Sequence, residues 1–134
     1  MSAPISIAPV LSRIGQIFVN AKDLDRAIAF YRDTLGMQFL FQAPPAMAFF
    51  DCGGIRIMLG MPERPDLDHP ASVIYYKVDD IEKTYETLNE RDVIFITKPH
   101  LVASMGDYDL WLADFKDSEG NILALMSEVP RKVA

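Results

Sequence analysis

Residues 14–36 read IGQIFVNAKDLDRAIAFYRDTLG, and the hydrophobic pattern changes period in the middle of the stretch. Up to Ala21 alternate positions separate, Gln16, Phe18 and Asn20 on one side and Ile17, Val19 and Ala21 on the other, as in a strand. Asp23 then stands where a helix N-cap is needed, because its carboxylate accepts backbone N–H groups that have no intrahelical partner. Leu24, Ala27, Ile28 and Tyr31 recur at helical spacing and form one apolar stripe. Gly36 supplies the left-handed residue at which such a helix ends. A strand and a helix with one apolar side each bury those sides against one another. The other face of the strand, which carries Gln16, is left over for function.

Working outward, residues 37–42 (MQFLFQ), 46–52 (AMAFFDC) and 55–59 (IRIML) read as strands. The last two meet at Asp51-Cys52-Gly53-Gly54, a turn whose glycines admit positive φ. Residues 61–70 (MPERPDLDHP) hold Pro62, Pro65 and Pro70 among charged side chains and read as a linker. The order then repeats. Residues 71–78 form a strand, and Asp80 caps a helix that runs to about residue 91 with Ile81, Tyr85 and Leu88 as its stripe. Strands follow at 93–97, 109–115 and 121–127, the last two joined by Asp117-Ser118-Glu119-Gly120. Between them, residues 99–108 (PHLVASMGDY) read as a loop over a cavity mouth. Residues 1–12 form an irregular arm, and a loose polar tail follows Val129.

Aligning the caps Asp23 and Asp80 sets Ile17 against Ile74 and Leu24 against Ile81. An internal repeat of this length points to a duplicated supersecondary unit. The expected fold is α+β, a single domain over residues 1–134. Two βαβββ modules, about 14–60 and 71–128 around the linker at 61–70, form cupped mixed sheets with the helices outside. The concave, partly polar surface between the sheets is where a small molecule binds.

At 134 residues, half of them hydrophobic and 24% charged, the chain can bury a sizeable core. A formal net charge of −6 without a Lys/Arg cluster excludes nucleic acid and an anionic membrane as partners. The single cysteine, Cys52, excludes an internal disulfide and fits a reducing compartment. No apolar run approaches the roughly 20 residues that span a bilayer. The opening MSAPISIAPVLSR lacks the basic n-region of a signal peptide, so a cytoplasmic location is expected.

Asp23-Leu24 followed by Phe30-Tyr31 and Leu35-Gly36, then Val78-Asp79-Asp80, then Asp117-Ser118-Glu119-Gly120-Asn121, form an ordered set over about residues 14–128. In that order they resemble the vicinal oxygen chelate superfamily, which includes glyoxalase I, bleomycin-resistance proteins, extradiol dioxygenases and fosfomycin-resistance enzymes. The resemblance implies paired βαβββ modules, often in a homodimer, with a ligand cavity in each cupped sheet. It fixes no reaction, because the superfamily hosts isomerases, dioxygenases, transferases and plain binders.

The resemblance also implies where metal-dependent relatives place their ligands. Seven residues before each helix cap stand Gln16 and Val73, and four residues after Gly54 and Gly120 stand Met58 and Ala124. Of these only the Gln16 amide offers oxygen, while Met58 offers a soft thioether. A zinc or iron site needs roughly three protein ligands, so no metal and no other cofactor is expected. Neither His69, in the linker, nor His100 falls at a ligand position.

Strand parity places Gln16, Phe18, Arg56, Met58, Val73, Tyr75, Ile122, Ala124 and Met126 on the cavity face. Met and aromatic side chains make an adaptable apolar wall, although Met58, Ile122 and Ala124 serve equally well as plain core. Arg56 on this face points either to an anionic ligand group or to an internal carboxylate such as Asp109. Trp111, after the loop at 99–108, joins the ligand-binding set of Gln16, Phe18, Arg56, Met58, Tyr75 and Ala124. His100 is the candidate acid–base group, with Asp109 as its partner, because an imidazole titrates near physiological pH; a surface histidine is the simpler reading. Cys52 has no adjacent base to make a thiolate, and Asp117 and Asn121 read as turn residues. The leading function is metal-free binding of an apolar or aromatic small molecule. The alternatives are metal-free acid–base catalysis through His100 and a lactoylglutathione-lyase-like metal reaction.

Overall fold

The change of period at Asp23 is a change of element. The computed structural model describes residues 10–131. β1 (Gln16–Asn20) leads into α1 (Leu24–Ala29), where the Asp23 side chain accepts from the Arg26 amide at 3.1 Å. The helix widens into a π-type turn at Phe30–Thr34 and ends before Gly36, whose φ of 71° costs glycine less than residues with a Cβ. β2 (Gln38–Ala43), β3 (Met47–Cys52) and β4 (Ile55–Gly60) complete a sheet ordered β1-β4-β3-β2, with β1 parallel to β4 and the other pairs antiparallel.

After a 3-10 turn at Pro65–Leu67 the plan recurs with β5 (Ile74–Lys77) and α2 (Ile81–Glu90), again capped by an aspartate, Asp80. β6 (Ile94–Phe95), β7 (His100–Ser104), β8 (Tyr108–Lys116) and β9 (Ile122–Pro130) follow. The sheet runs β5-β9-β8-β6 with β7 also on β8, and β5 is parallel to β9. The protein is therefore α+β with two mixed sheets. No helix among the described residues is long and apolar enough to cross a membrane.

Three expectations need correction. Residues 100–104 are a strand and not a loop: His100 pairs with Leu112 and Ser104 with Asp109, and backbone groups that a loop would leave to water are satisfied on β8. The strand expected at 93–97 is only Ile94–Phe95, because the chain turns at Ile96 and Thr97, whose Oγ accepts from the Asp114 amide at 2.9 Å. The polar tail begins later than Val129. β9 continues to Pro130, and the Arg131 amide donates to the Asp107 carbonyl at 2.9 Å. Of the arm expected at 1–12 and the tail, residues 1–9 and 132–134 lie outside the described residues.

Each sheet turns one face to its helix. Val19, Ile57, Leu59 and Phe50 meet Ile28 and Tyr31, while Ala113, Phe115, Leu123 and Leu125 meet Ile81, Leu88 and Val93. All belong to one continuous hydrophobic cluster, so the modules share a core.

Polar bonds fix how the halves meet. The Tyr31 hydroxyl donates to Asp117 Oδ2 at 2.7 Å, and the Asn121 side-chain amide donates to the same oxygen at 2.8 Å. Asp117 Oδ1 accepts the Glu119 and Asn121 backbone amides at 2.9 and 2.8 Å, so this buried carboxylate is fully partnered. Asn121 also donates to the Asn20 carbonyl at 3.0 Å. Glu119 accepts from the Asp23 amide at 3.0 Å and from Arg26 Nε at 2.8 Å, which docks the β8–β9 turn on the start of α1. The residues expected to be local turn formers thus also join the modules.

Burial and then the Asp117 carboxylate push the Tyr31 hydroxyl well above its usual pKa, so it remains a donor. Replacing Tyr31 with Phe leaves a buried carboxylate short of one donor and should lower unfolding free energy by about 1–3 kcal/mol in urea titrations. Burial alone would raise the pKa of Glu119, but hydrogen bonds from Arg26, the Asp23 amide and Ser118 outweigh it and hold the pKa below its ordinary value. A carboxylate with a depressed folded-state pKa stabilises above its unfolded pKa, about 4.3, and loses that contribution as pH falls through the folded value. Glu119→Gln should therefore be less stable than the natural chain by about 1 kcal/mol at pH 7. Chemical denaturation should show this gap closing as the pH drops below about 4.

Candidate functional site

The faces turned away from the helices are the open ones. On the first sheet the strand register gives three rows. Gln16, Arg56, Asp51 and Gln38 form one, and Phe18, Met58, Phe49 and Phe41 the next. Asn20, Gly60, Met47 and Ala43 form the third. The middle row is an apolar floor in which the Phe41 and Phe49 ring centroids lie 4.9 Å apart. The period of two in β1 and β4 brings this about, because one set of side chains is already committed to the helix side.

The polar row is locked internally. Arg56 Nε donates to Gln16 Oε1 at 2.7 Å, and its guanidinium carbon lies 5.4 Å from the centroid of the Phe49 ring. Gln16 Nε2 in turn donates to the Met58 sulfur at 3.6 Å, which fixes the direction of the amide. Asp109 is the internal carboxylate that the sequence offers Arg56. That carboxylate pairs instead with Arg131 at 3.5 Å.

Linker residues cover part of the floor. Met61, Glu63 and Leu67 close over Phe18, Met47 and Met58 to leave a cavity of about 210 Å³. Bonds from Asn20 and Lys22 to Asp68, at 2.9 and 3.4 Å, hold the linker at the end of β1. A larger cavity, about 580 Å³, opens at the seam between the modules near Asn20, Asp68 and Glu119. Its charged groups are already paired, Lys22 with Asp68 and Arg26 with Glu119, so it offers less to a ligand.

On the second sheet Tyr75, Ala124 and Asp114 stand in one row of the open face, with Leu112, Met126 and Lys77 in the next. Tyr75 is half exposed and Ala124 is buried. Val73 precedes β5 and is partly exposed. The four positions at which a metal would be expected thus carry an amide already bonded to Arg56, a thioether and two hydrocarbon side chains. This donor set does not fit zinc or iron. Among the described residues, no group of three or more His, Cys, Asp or Glu is placed to hold a metal ion.

Two expected site residues lie elsewhere. Trp111 pairs with Ser127 and faces the helix side, in a groove of about 390 Å³ with Asp79, Ile81 and Val129. Asp109 has the same parity as Trp111, whereas His100 pairs with Leu112 on the open face. His100 and Asp109 therefore sit on opposite faces and do not form an acid–base pair. The His100 Nδ1 lies 2.8 Å from the Lys98 carbonyl. Burial first, then Asp51, raises the pKa of the Cys52 thiol, which disfavours a thiolate.

Sequence reasoning missed Met47 and Phe49, although the alternation in AMAFFDC carries them. It also missed Asp114, whose face depends on the pairing of β8 with β9. Met61 and Leu67 gave no signal, because a Pro-rich charged segment reads as solvated linker.

Residues 13–125 match the family model described as Glyoxalase/Bleomycin resistance protein/Dioxygenase superfamily. The Uncharacterized protein YraH of Bacillus subtilis (strain 168) is 27% identical over 123 residues, which cover 82% of this chain and 94% of that one. A solved member of the same superfamily from Sphaerobacter thermophilus DSM 20745 superposes with a TM-score of 0.74 at 22% identity, over 90% of this chain and 100% of that one. A lactoylglutathione lyase from Agrobacterium tumefaciens superposes with a TM-score of 0.68, also at 22% identity, over 89% of this chain and 96% of that one. At such identity the two structures establish a common fold and no common chemistry.

Proposed function

This chain belongs to the glyoxalase/bleomycin resistance protein/dioxygenase superfamily, and from that premise we propose that it binds an apolar or aromatic small molecule without a metal. The observation that carries this reading is the cavity of about 210 Å³ on the open face of the first sheet, walled by Phe18, Met47, Met58, Met61 and Leu67. Flexible thioethers beside aromatic rings adapt to flat or irregular ligands. Gln16 and Arg56, one row away, are the polar anchors. Tyr75, half exposed on the open face of the second sheet, is a further candidate contact outside this cavity.

The reading includes a homodimer. Phe41, Tyr75 and Ile94 are 49%, 50% and 68% exposed, and a symmetric partner would cover such apolar surface. It also includes a cytoplasmic location, which suits a chain with one cysteine. A lactoylglutathione-lyase-like reaction requires metal ligands, among them a carboxylate, at positions where Val73 and Ala124 supply none.

Thermal denaturation with neutral naphthalene, indole and phenazine compounds tests the reading. At least one should stabilise the protein, by about 2.7 kcal/mol at a hundredfold excess over its Kd. Met58→Asp, which places a charge in the floor, should abolish the effect. Absence of stabilisation by every compound, or stabilisation unchanged in Met58→Asp, would contradict the proposal.

A further inference from the structure

The polar row beside the cavity is built for one kind of chemical group. Arg56 is the one cation on the open face of the first sheet among the described strand residues. Its guanidinium is tied at Nε to Gln16 and stacked on Phe49. Arg56 is exposed, and its terminal nitrogens meet no hydrogen-bond acceptor among the described residues. Asp51 stands opposite Arg56 on β3, yet no carboxylate of the described residues comes within ion-pair distance of the guanidinium. A guanidinium held at one edge presents its other N–H groups as a fork matched to a planar carboxylate.

We infer that the ligand bound in this cavity is a monocarboxylate with an apolar or aromatic body. This rests on the binding function proposed above and adds its chemical class. The carboxylate lies on the terminal nitrogens of Arg56, and the body crosses Phe18 and Met58 toward Met61 and Leu67. The distance along β4 from Arg56 to Gly60 is about 13 Å, the span of four strand residues. Charge number follows from the surroundings. Asp51 flanks Arg56, Glu63 lines the far end of the cavity and the chain carries a net −6, so a single negative charge is matched and a second is repelled. Gln16 acts as a positioning residue, since its oxygen holds Nε and its amide is itself held by Met58.

The test is calorimetric titration of the full chain with 1-naphthaleneacetate and with 1-naphthaleneacetamide, which share a body and differ in charge. The carboxylate should bind at least about tenfold more tightly than the amide. Arg56→Met should bring the two affinities within about twofold, and Arg56→Lys, which keeps the charge without the planar fork, should give an intermediate ratio. An unliganded melting curve for each variant separates misfolding from lost recognition. Equal binding of acid and amide by the natural chain would overturn the carboxylate assignment and leave the binding function standing. A preference that persists in a folded Arg56→Met would also overturn it. Binding of neither compound, together with a failure of every neutral probe, would remove both.

Discussion

Everything about the open faces depends on how the two halves are joined, and the join is organised by the buried carboxylate of Asp117. Its oxygens take four donors, from Tyr31, Glu119 and two groups of Asn121. A buried charge is tolerable only when partnered in this way. One of those donors comes from the first module and the others from the turn itself, so a single side chain shapes the turn and docks it. With the helices and the inner sheet faces committed to the common core, the opposite sheet faces are only partly covered, on the first sheet by linker residues.

The first sheet illustrates how far alternation in a sequence can go. The aspartate caps at Asp23 and Asp80 were legible because a short acidic side chain before an apolar stripe has few other uses. Gln16 with Arg56, and Phe18 with Met58, could be grouped because β1 and β4 keep strict alternation. The failures lie where alternation needs a register to interpret it. Trp111 and Asp109 belong to β8, whose face is set by its pairing with β9, and no local feature reveals that pairing. Residues 100–104 carry glycine and polar residues after them and look like a loop until β8 is present to accept them. Long-range bonds were equally hidden. That Asp117 reaches Tyr31 across 86 positions of sequence is a fact of tertiary packing alone.

The four positions that the resemblance assigns to metal ligands carry a different set of donors. Gln16 and Met58 stand on the first sheet beside a floor of rings and thioethers, whereas Val73 and Ala124 belong to the second module, and of the four only Gln16 offers oxygen. The one remaining polar donor, Gln16, is occupied by Arg56. An apolar side chain at such a position offers no lone pair to a cation. The seam cavity, although larger, lacks this character, because its charges neutralise one another.

The most direct measurement on this account is the metal content of the protein purified without chelator, taken together with calorimetric titration by Zn(II), Ni(II) and Fe(II). The account predicts far less than one ion per chain and no saturable uptake of any of the three. Close to one ion per chain, lost when Gln16 is replaced by Ala, would show that the open face holds a cation after all and would contradict it.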